Sequence, residues 1–268
     1  MFTRRQFGLT ALTGLFTSAA QLHAAAETNP GTSPDKTIPA HWTGEETVVF
    51  LGYQGMTALD LIGPQYVLAG LWGASVKIAA KSMEPLLTDT GIVMQPDLVF
   101  EEVPEEIDIL CVPGGFQGTL DLMKDQEVLE FLAGRGRRAK HVTSICTGSL
   151  LLGQAGLLGG YEATSHWMTR PMLTEFGAVP VNQRVVRDRN RMTAAGVTSG
   201  IDMALTLVAE LRDDTYAQGI QLLAEYAPEP PFNAGTPETA PAEVSGLLQA
   251  MYPNLDETIR TLAQHQIR

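Results

Sequence analysis

The sequence predicts an α/β fold built on a mostly parallel sheet with helices on both faces. Two observations carry this expectation. Short apolar runs rich in β-branched residues alternate with helical stretches of roughly 10–15 residues, the pattern of βαβ units. Glycine or proline closes most of the apolar runs, as at Gly52 and at Pro113-Gly114-Gly115. Right-handed crossovers between parallel strands then place helices on either side of the sheet.

Taken in order, residues 47–51 (TVVFL) read as a first buried strand. Residues 58–70 read as a helix entered through Thr57 as N-cap. Residues 75–80 form the second strand, and 91–96, ending in Pro96, an edge strand or hairpin arm, because proline donates nothing to a ladder. Residues 107–112 are a near-continuous apolar strand. A single amphipathic helix is expected over 120–134, a strand over 141–145, a helix opening at 149–154 and a further strand over 163–167. Residues 184–193 alternate about a turn and predict a hairpin. Helices follow at 200–211, capped by Thr198 or Ser199, and at 215–225. The proline-rich stretch 226–241 is aperiodic and belongs on the surface, and one short amphipathic helix is expected over 242–264. No internal repeat and no second domain is evident.

Composition narrows the function classes. The 268 residues are 44% hydrophobic and 18% charged, enough for one large domain with a full core. The formal net charge of −12 opposes a phosphate backbone. The densest basic runs, around Arg135 to Arg138 and Arg184 to Arg191, are short and read as solvated faces or hairpin ends, so nucleic acid is not expected as a partner.

The N-terminus differs from the rest. Arg4-Arg5 ahead of Phe7, an apolar stretch over 8–20 and Ala24-Ala25-Ala26 together read as a twin-arginine (Tat) export signal with cleavage near Ala26. About 13 apolar residues fall short of the ~20 that a membrane-spanning helix requires. The expected organisation is a signal at 1–26, a flexible lead-in at 27–46, a domain at 47–242 and a helical tail at 243–268. The mature form is expected in the periplasm with no membrane segment.

Candidate chemistry gathers where three strands end, since ligands in open parallel sheets bind beyond the carboxyl ends of the strands. Cys146 sits where an apolar strand gives way to Thr147-Gly148-Ser149 and a helix. It is either a packed small hydrophobe or a nucleophile displayed on a sharp turn, where helix amides and the dipole lower a thiol pKa. Cys111 lies inside the apolar run and reads as core, with a disulfide between the two cysteines as the alternative. Gly114 and Gly115 either end a strand or bring backbone amides up to a substrate as an oxyanion hole. Asp60 is either a helix-terminal carboxylate or, beside Cys146, an acid/base with a raised pKa. His166 is either a core histidine or part of the site's surroundings. No metal-ligand spacing, phosphate loop or dinucleotide fingerprint occurs.

The segments LDLIGP (59–64), DILCVPGG (108–115), VTSICTGSLLLGQAGLL (142–158), ATSHW (163–167) and RVVRDRNRMTAAGVTSGIDMALTLVAEL (184–211) together resemble the DJ-1/PfpI superfamily. AEYAPEPPFNAGTPETAP (224–241) makes the resemblance closest to its isonitrile hydratases. The resemblance covers roughly 47–242. It implies a flavodoxin-like three-layer sandwich, a homodimer, no cofactor and a small-molecule substrate. It also implies hydration of an isonitrile to an N-substituted formamide, with Cys146 as nucleophile, Asp60 as acid/base, Thr147 hydrogen-bonding at the site and the Gly114 and Gly115 amides completing the pocket. Two departures are informative. PfpI-type peptidases carry histidine where this chain has Thr147, and DJ-1-like glyoxalases and deglycases carry glutamate where it has Asp60. The competing expectations are a non-catalytic periplasmic binding or sensor protein and a DJ-1-like glyoxalase or deglycase.

Overall fold

A computed structural model describes residues 38–266, so the expected signal and most of the lead-in lie outside the described residues. The elements in chain order are β1 (Thr47–Leu51), α1 (Ala58–Leu68), β2 (Ser75–Ala80), β3 (Leu86–Leu87), β4 (Val93–Met94), β5 (Leu98–Val99) and β6 (Ile109–Val112). They continue with α2 (Gln117–Leu122), α3 (Gln126–Arg138), β7 (His141–Ile145), α4 (Gly148–Gln154), β8 (Glu162–Ala163), β9 (Val179–Pro180), β10 (Val185–Asp188) and β11 (Arg191–Ala194). Four helices end the chain: α5 (Ser199–Leu211), α6 (Asp214–Leu223), α7 (Ala242–Ala250) and α8 (Leu255–Ala263).

The main sheet has seven strands in the order β10-β11-β7-β6-β1-β2-β5. All pairings are parallel except β10 with β11, the predicted hairpin. The fold is therefore the α/β sandwich expected. Its centre, β7-β6-β1, is buried on both faces, which is why these strands read as unbroken apolar runs rather than alternating ones. Because the three run parallel, their carboxyl ends share one edge, and the site forms there.

Several elements depart from expectation, each for a local reason. The helix expected over 120–134 is two, α2 and α3, because the Asp125 side chain accepts the Val128 N–H and starts a new helix. The strand expected over 163–167 is only β8. Beyond Ala163, hydroxyl bonds replace the ladder: Thr164 N–H donates to Thr193 Oγ1, and Ser165 Oγ donates to the Cys146 carbonyl. The final helix is likewise two, divided at Tyr252-Pro253, where the ring of Pro253 disfavours helix in the residue before it. Thr57 and Thr198 occupy N-cap positions without capping through their side chains, and the Ala58 N–H is held by Asp89 instead.

The lead-in is fixed earlier than predicted. From Ala40 the chain belongs to the same compact unit as the sheet. Trp42 packs edge-on against Trp72 and Tyr216 and donates from Nε1 to Asp213, while Glu46 pairs with the buried Arg212 guanidinium. The expected hairpin arm at 91–96 is present as β4, paired with β3. Among the described residues no helix is long and apolar enough to cross a membrane.

Candidate active site

Cys146 follows β7 directly and has φ 56, a left-handed conformation that a non-glycine residue adopts only when its surroundings enforce it. Here they do. Its N–H donates to the Ala194 carbonyl at 3.0 Å, and its carbonyl accepts from Ser165 Oγ (3.1 Å) and Ser149 Oγ (3.2 Å). The next turn needs glycine, since a Cβ at Gly148 would lie 2.1 Å from the Val112 carbonyl oxygen. This strained strand-to-helix turn is the elbow that the sequence suggested.

Asp60 arrives from the first turn of α1 and is wholly buried. Its Oδ2 accepts the Gly114 N–H at 2.9 Å and its carboxyl faces the Cys146 thiol, while Oδ1 has no hydrogen-bond partner among the described residues. Burial raises its pKa to about 7, against the opposing pull of the Gly114 N–H and the Cys146 thiol. The expected rise is present, and it places the carboxyl at its midpoint near neutral pH.

Cys146 departs from expectation in electrostatics. The helix terminus was expected to lower its pKa. Instead the thiol is held well above the ordinary value, first by complete burial and then by the facing Asp60 carboxylate, with the Thr147 amide pulling weakly the other way. The resting residue is therefore a thiol. Both cysteines are free, and Cys111, packed in β6, is pushed up to about 12 by burial.

Thr147 is the hub of the turn. Its Oγ1 accepts N–H bonds from Gly115 (3.0 Å) and Phe116 (3.3 Å) and lies 2.8 Å from Thr119 Oγ1. With both lone pairs taken, it must donate its own proton to Thr119. Thr119 then donates to Tyr53 Oη at 3.2 Å, and Tyr53 donates to the Pro113 carbonyl at 3.0 Å. The Gly114 and Gly115 amides, expected to line an oxyanion hole, donate to Asp60 and Thr147 instead. They position the acid and the hub. A Cβ at Gly114 would meet the Thr147 amide at 2.6 Å and Asp60 Oδ2 at 2.9 Å, so only glycine lets the two elements meet.

His166 lies beside the site without entering it. Burial lowers its pKa to about 4, and its Nδ1 accepts the Met168 N–H, so the ring is neutral and its hydrogen bonding faces its own turn. It packs edge-on against Phe116 at 4.9 Å. Sequence reading missed Tyr53, Thr119, Phe116 and Ser165. The signal for Phe116 was its place directly after Pro113-Gly114-Gly115; the others gave none beyond lying near strand ends. Among the described residues no group of three or more His, Cys, Asp or Glu side chains is arranged to hold a metal.

This geometry coincides with similarity to known proteins. Over 195 residues the chain is 47% identical to an isonitrile hydratase from Pseudomonas putida, covering 73% of this chain and 85% of that one. A crystal structure of a ThiJ/PfpI family protein from Pseudomonas syringae superposes with a TM-score of 0.83 at 48% identity, covering 87% of this chain and 98% of that one. The transcriptional regulator GbdR of Pseudomonas aeruginosa is 33% identical over 120 residues, 44% of this chain but only 32% of the regulator. Residues 46–210, the stretch that contains the elbow, the Asp60 helix and the glycine turn, match the DJ-1/PfpI family, and the chain belongs to that family.

Proposed function

We propose that this protein hydrates an isonitrile to the N-substituted formamide through a covalent intermediate on Cys146. The observation that carries the reading is the buried thiol–carboxyl pair: a nucleophile on a strained elbow facing an Asp60 that is half protonated near neutral pH. The similarity to the Pseudomonas putida isonitrile hydratase supports it.

The isonitrile carbon must gain both a nucleophile and a proton, so a thiol beside a proton carrier suits it better than a lone thiolate. The ionised Asp60 takes the thiol proton as sulfur bonds to the isonitrile carbon, then returns that proton to the same carbon. The product is the thioimidate R–N=CH–S–Cys146. Asp60, again ionised, takes a proton from water as its oxygen adds to that carbon. The C–S bond then breaks, nitrogen gains one proton, the thiol regains another, and R–NH–CHO leaves. Substrate and water supply every atom, no net oxidation occurs, and the reading calls for no cofactor. Thr147 fixes the elbow relative to the glycine turn, so that attack and proton transfer share one geometry.

Two further parts of the reading rest on the sequence. The export signal would carry the folded chain to the periplasm, which fractionation of cells expressing the full chain and an Arg4→Lys/Arg5→Lys variant would test. The homodimer would bury Leu59, Ile62 and Tyr66, which stay exposed along one side of α1, and light scattering reads its mass.

The main test incubates the purified protein with an alkyl isonitrile and follows the gain of one water by mass spectrometry. Formamide from wild type and none from Cys146→Ala is the expected result. Formamide at equal rates from both removes the cysteine mechanism, and none from wild type removes the hydratase reading.

A further inference from the structure

Cys146 and Asp60 have no solvent exposure, so any reagent must displace something to reach them. What stands beside the elbow is a set of three rings. Phe116, whose N–H bonds to Thr147, stacks on Tyr252 with centroids 5.0 Å apart and planes 22° from parallel. It also meets the edge of His166, the residue after the Ser165 that holds the Cys146 carbonyl. Tyr252, the outermost of the three at 39% exposure, also lines a cleft of about 360 Å³ together with Trp167, Met168, Pro171 and Leu255 among others.

The three rings differ in freedom. Phe116 has φ 38 and is pinned through its backbone to Thr147, and His166 sits in a tight hydrogen-bonded turn. Tyr252 instead lies between two helices of unequal hold. The helix before it, α7, buries no residue. The helix after it, α8, buries Ile259 and is clipped to α4, the helix that leaves the nucleophile, by Gln154 Nε2 to the Leu262 carbonyl at 3.0 Å. Gln266 Nε2 bonds the Gly153 carbonyl of α4 at 2.9 Å. The anchored helix delivers Tyr252 to the site, and the unanchored one leaves it able to swing.

We infer that Tyr252 is the movable door of the entrance to Cys146, closing over Phe116 and filtering substrates by the bulk of the group on the reacting carbon's nitrogen. The inference that this group belongs to an isonitrile rests on the function proposed above; the control of access to the thiol does not. A small substituent passes with a brief opening of the stack, whereas a bulky one requires Tyr252 to stay displaced throughout the reaction. Loss of the ring removes an aromatic contact whose strength corresponds to a change of up to roughly tenfold.

Two measurements on wild type, Tyr252→Ala and Tyr252→Phe test it. In the first, kcat/KM is compared for cyclohexyl and methyl isonitrile. The ratio of cyclohexyl to methyl is expected to rise up to ~10-fold in Tyr252→Ala and to stay within about twofold of wild type in Tyr252→Phe, which keeps the ring. In the second, labelling of Cys146 by N-phenylmaleimide and by the smaller iodoacetamide is followed on the Cys146 peptide, with no isonitrile present. Faster N-phenylmaleimide labelling in Tyr252→Ala, relative to iodoacetamide, supports the door. Labelling selectivity equal to wild type overturns it, whatever the hydratase assay reads. If wild type consumes neither isonitrile but Tyr252→Ala labels faster, the door stands and the hydratase reading falls.

Discussion

The two cysteines belong to neighbouring strands, Cys111 inside β6 and Cys146 just past the end of β7; both are free and fully buried, yet their surroundings differ. Cys111 lies in regular β6, between β1 and β7, and its neighbours are ladder partners and the Thr143 hydroxyl. Cys146 lies one step past the end of β7, with a left-handed backbone and a carboxyl facing its sulfur. Burial raises both thiols, so burial does not distinguish them. The difference is the position of each along its strand. Inside the strand the side chain lies among ladder partners, while beyond its end the first turn of α1 and the turn after β6 bring a carboxyl and a set of fixed amides.

The sharpest way to break this comparison is to truncate each thiol in turn. Cys146→Ala is expected to lower isonitrile turnover by at least ~10³-fold, because the covalent route is lost. Cys111→Ala should leave kcat within about twofold, with a modest loss of stability from a small core cavity. Equal effects on turnover would show that the elbow geometry is irrelevant to the chemistry.

A smaller effect separates the acid from the nucleophile. Asp60→Asn keeps the size and one acceptor oxygen of the side chain but carries no proton between sulfur and carbon. A loss of ~10²–10³-fold is expected. In wild type, kcat/KM should rise as the Asp60 carboxylate forms around pH 7 and hold above it, because the thiol remains protonated well past that range. In Asp60→Asn that rising limb should vanish. A limb that survives unchanged would assign the titration to another group.

Much of this was readable before the fold was known, and the reasons are local. Cys146 was legible because the strand, the small-residue turn and the helix lie within one continuous stretch, and Asp60 because LDLIGP opens the helix after the first strand. The direction of the Cys146 pKa was not legible. A helix terminus is visible in sequence, but complete burial and an opposing carboxylate are products of three segments meeting. The engagement of the Gly114 and Gly115 amides was hidden for the same reason, since their acceptors are 54 and 32 residues away. Two misjudged helix boundaries were different, because Asp125 before Gln126 and Pro253 after Tyr252 were plain stop-and-start signals. The amphipathic period simply continued across them. Tyr252 over Phe116 joins residues far apart in the chain, and no periodicity predicts such a contact.

The smallest effect is on stability, and there the two sites should differ in pH dependence. The Asp60 pKa rises from 3.8 to about 7 on folding, so the native state prefers the protonated carboxyl. Its favourable contribution is complete below about pH 4 and is lost as pH rises through about 7, above which the fold carries a buried charge. The full swing is on the order of 4 kcal/mol if no other group adjusts. Asp60→Asn does not titrate, so its stability relative to wild type should climb between pH 4 and 8 and level off beyond. Cys111→Ala is the control. Its thiol titrates only near 12, so its stability difference from wild type should be flat over the same window. Urea unfolding of the three proteins at several pH values measures both curves. A flat difference for Asp60→Asn would mean that the carboxyl is as easily ionised in the fold as in the open chain, and the raised pKa that places the rise of kcat/KM near pH 7 would be gone.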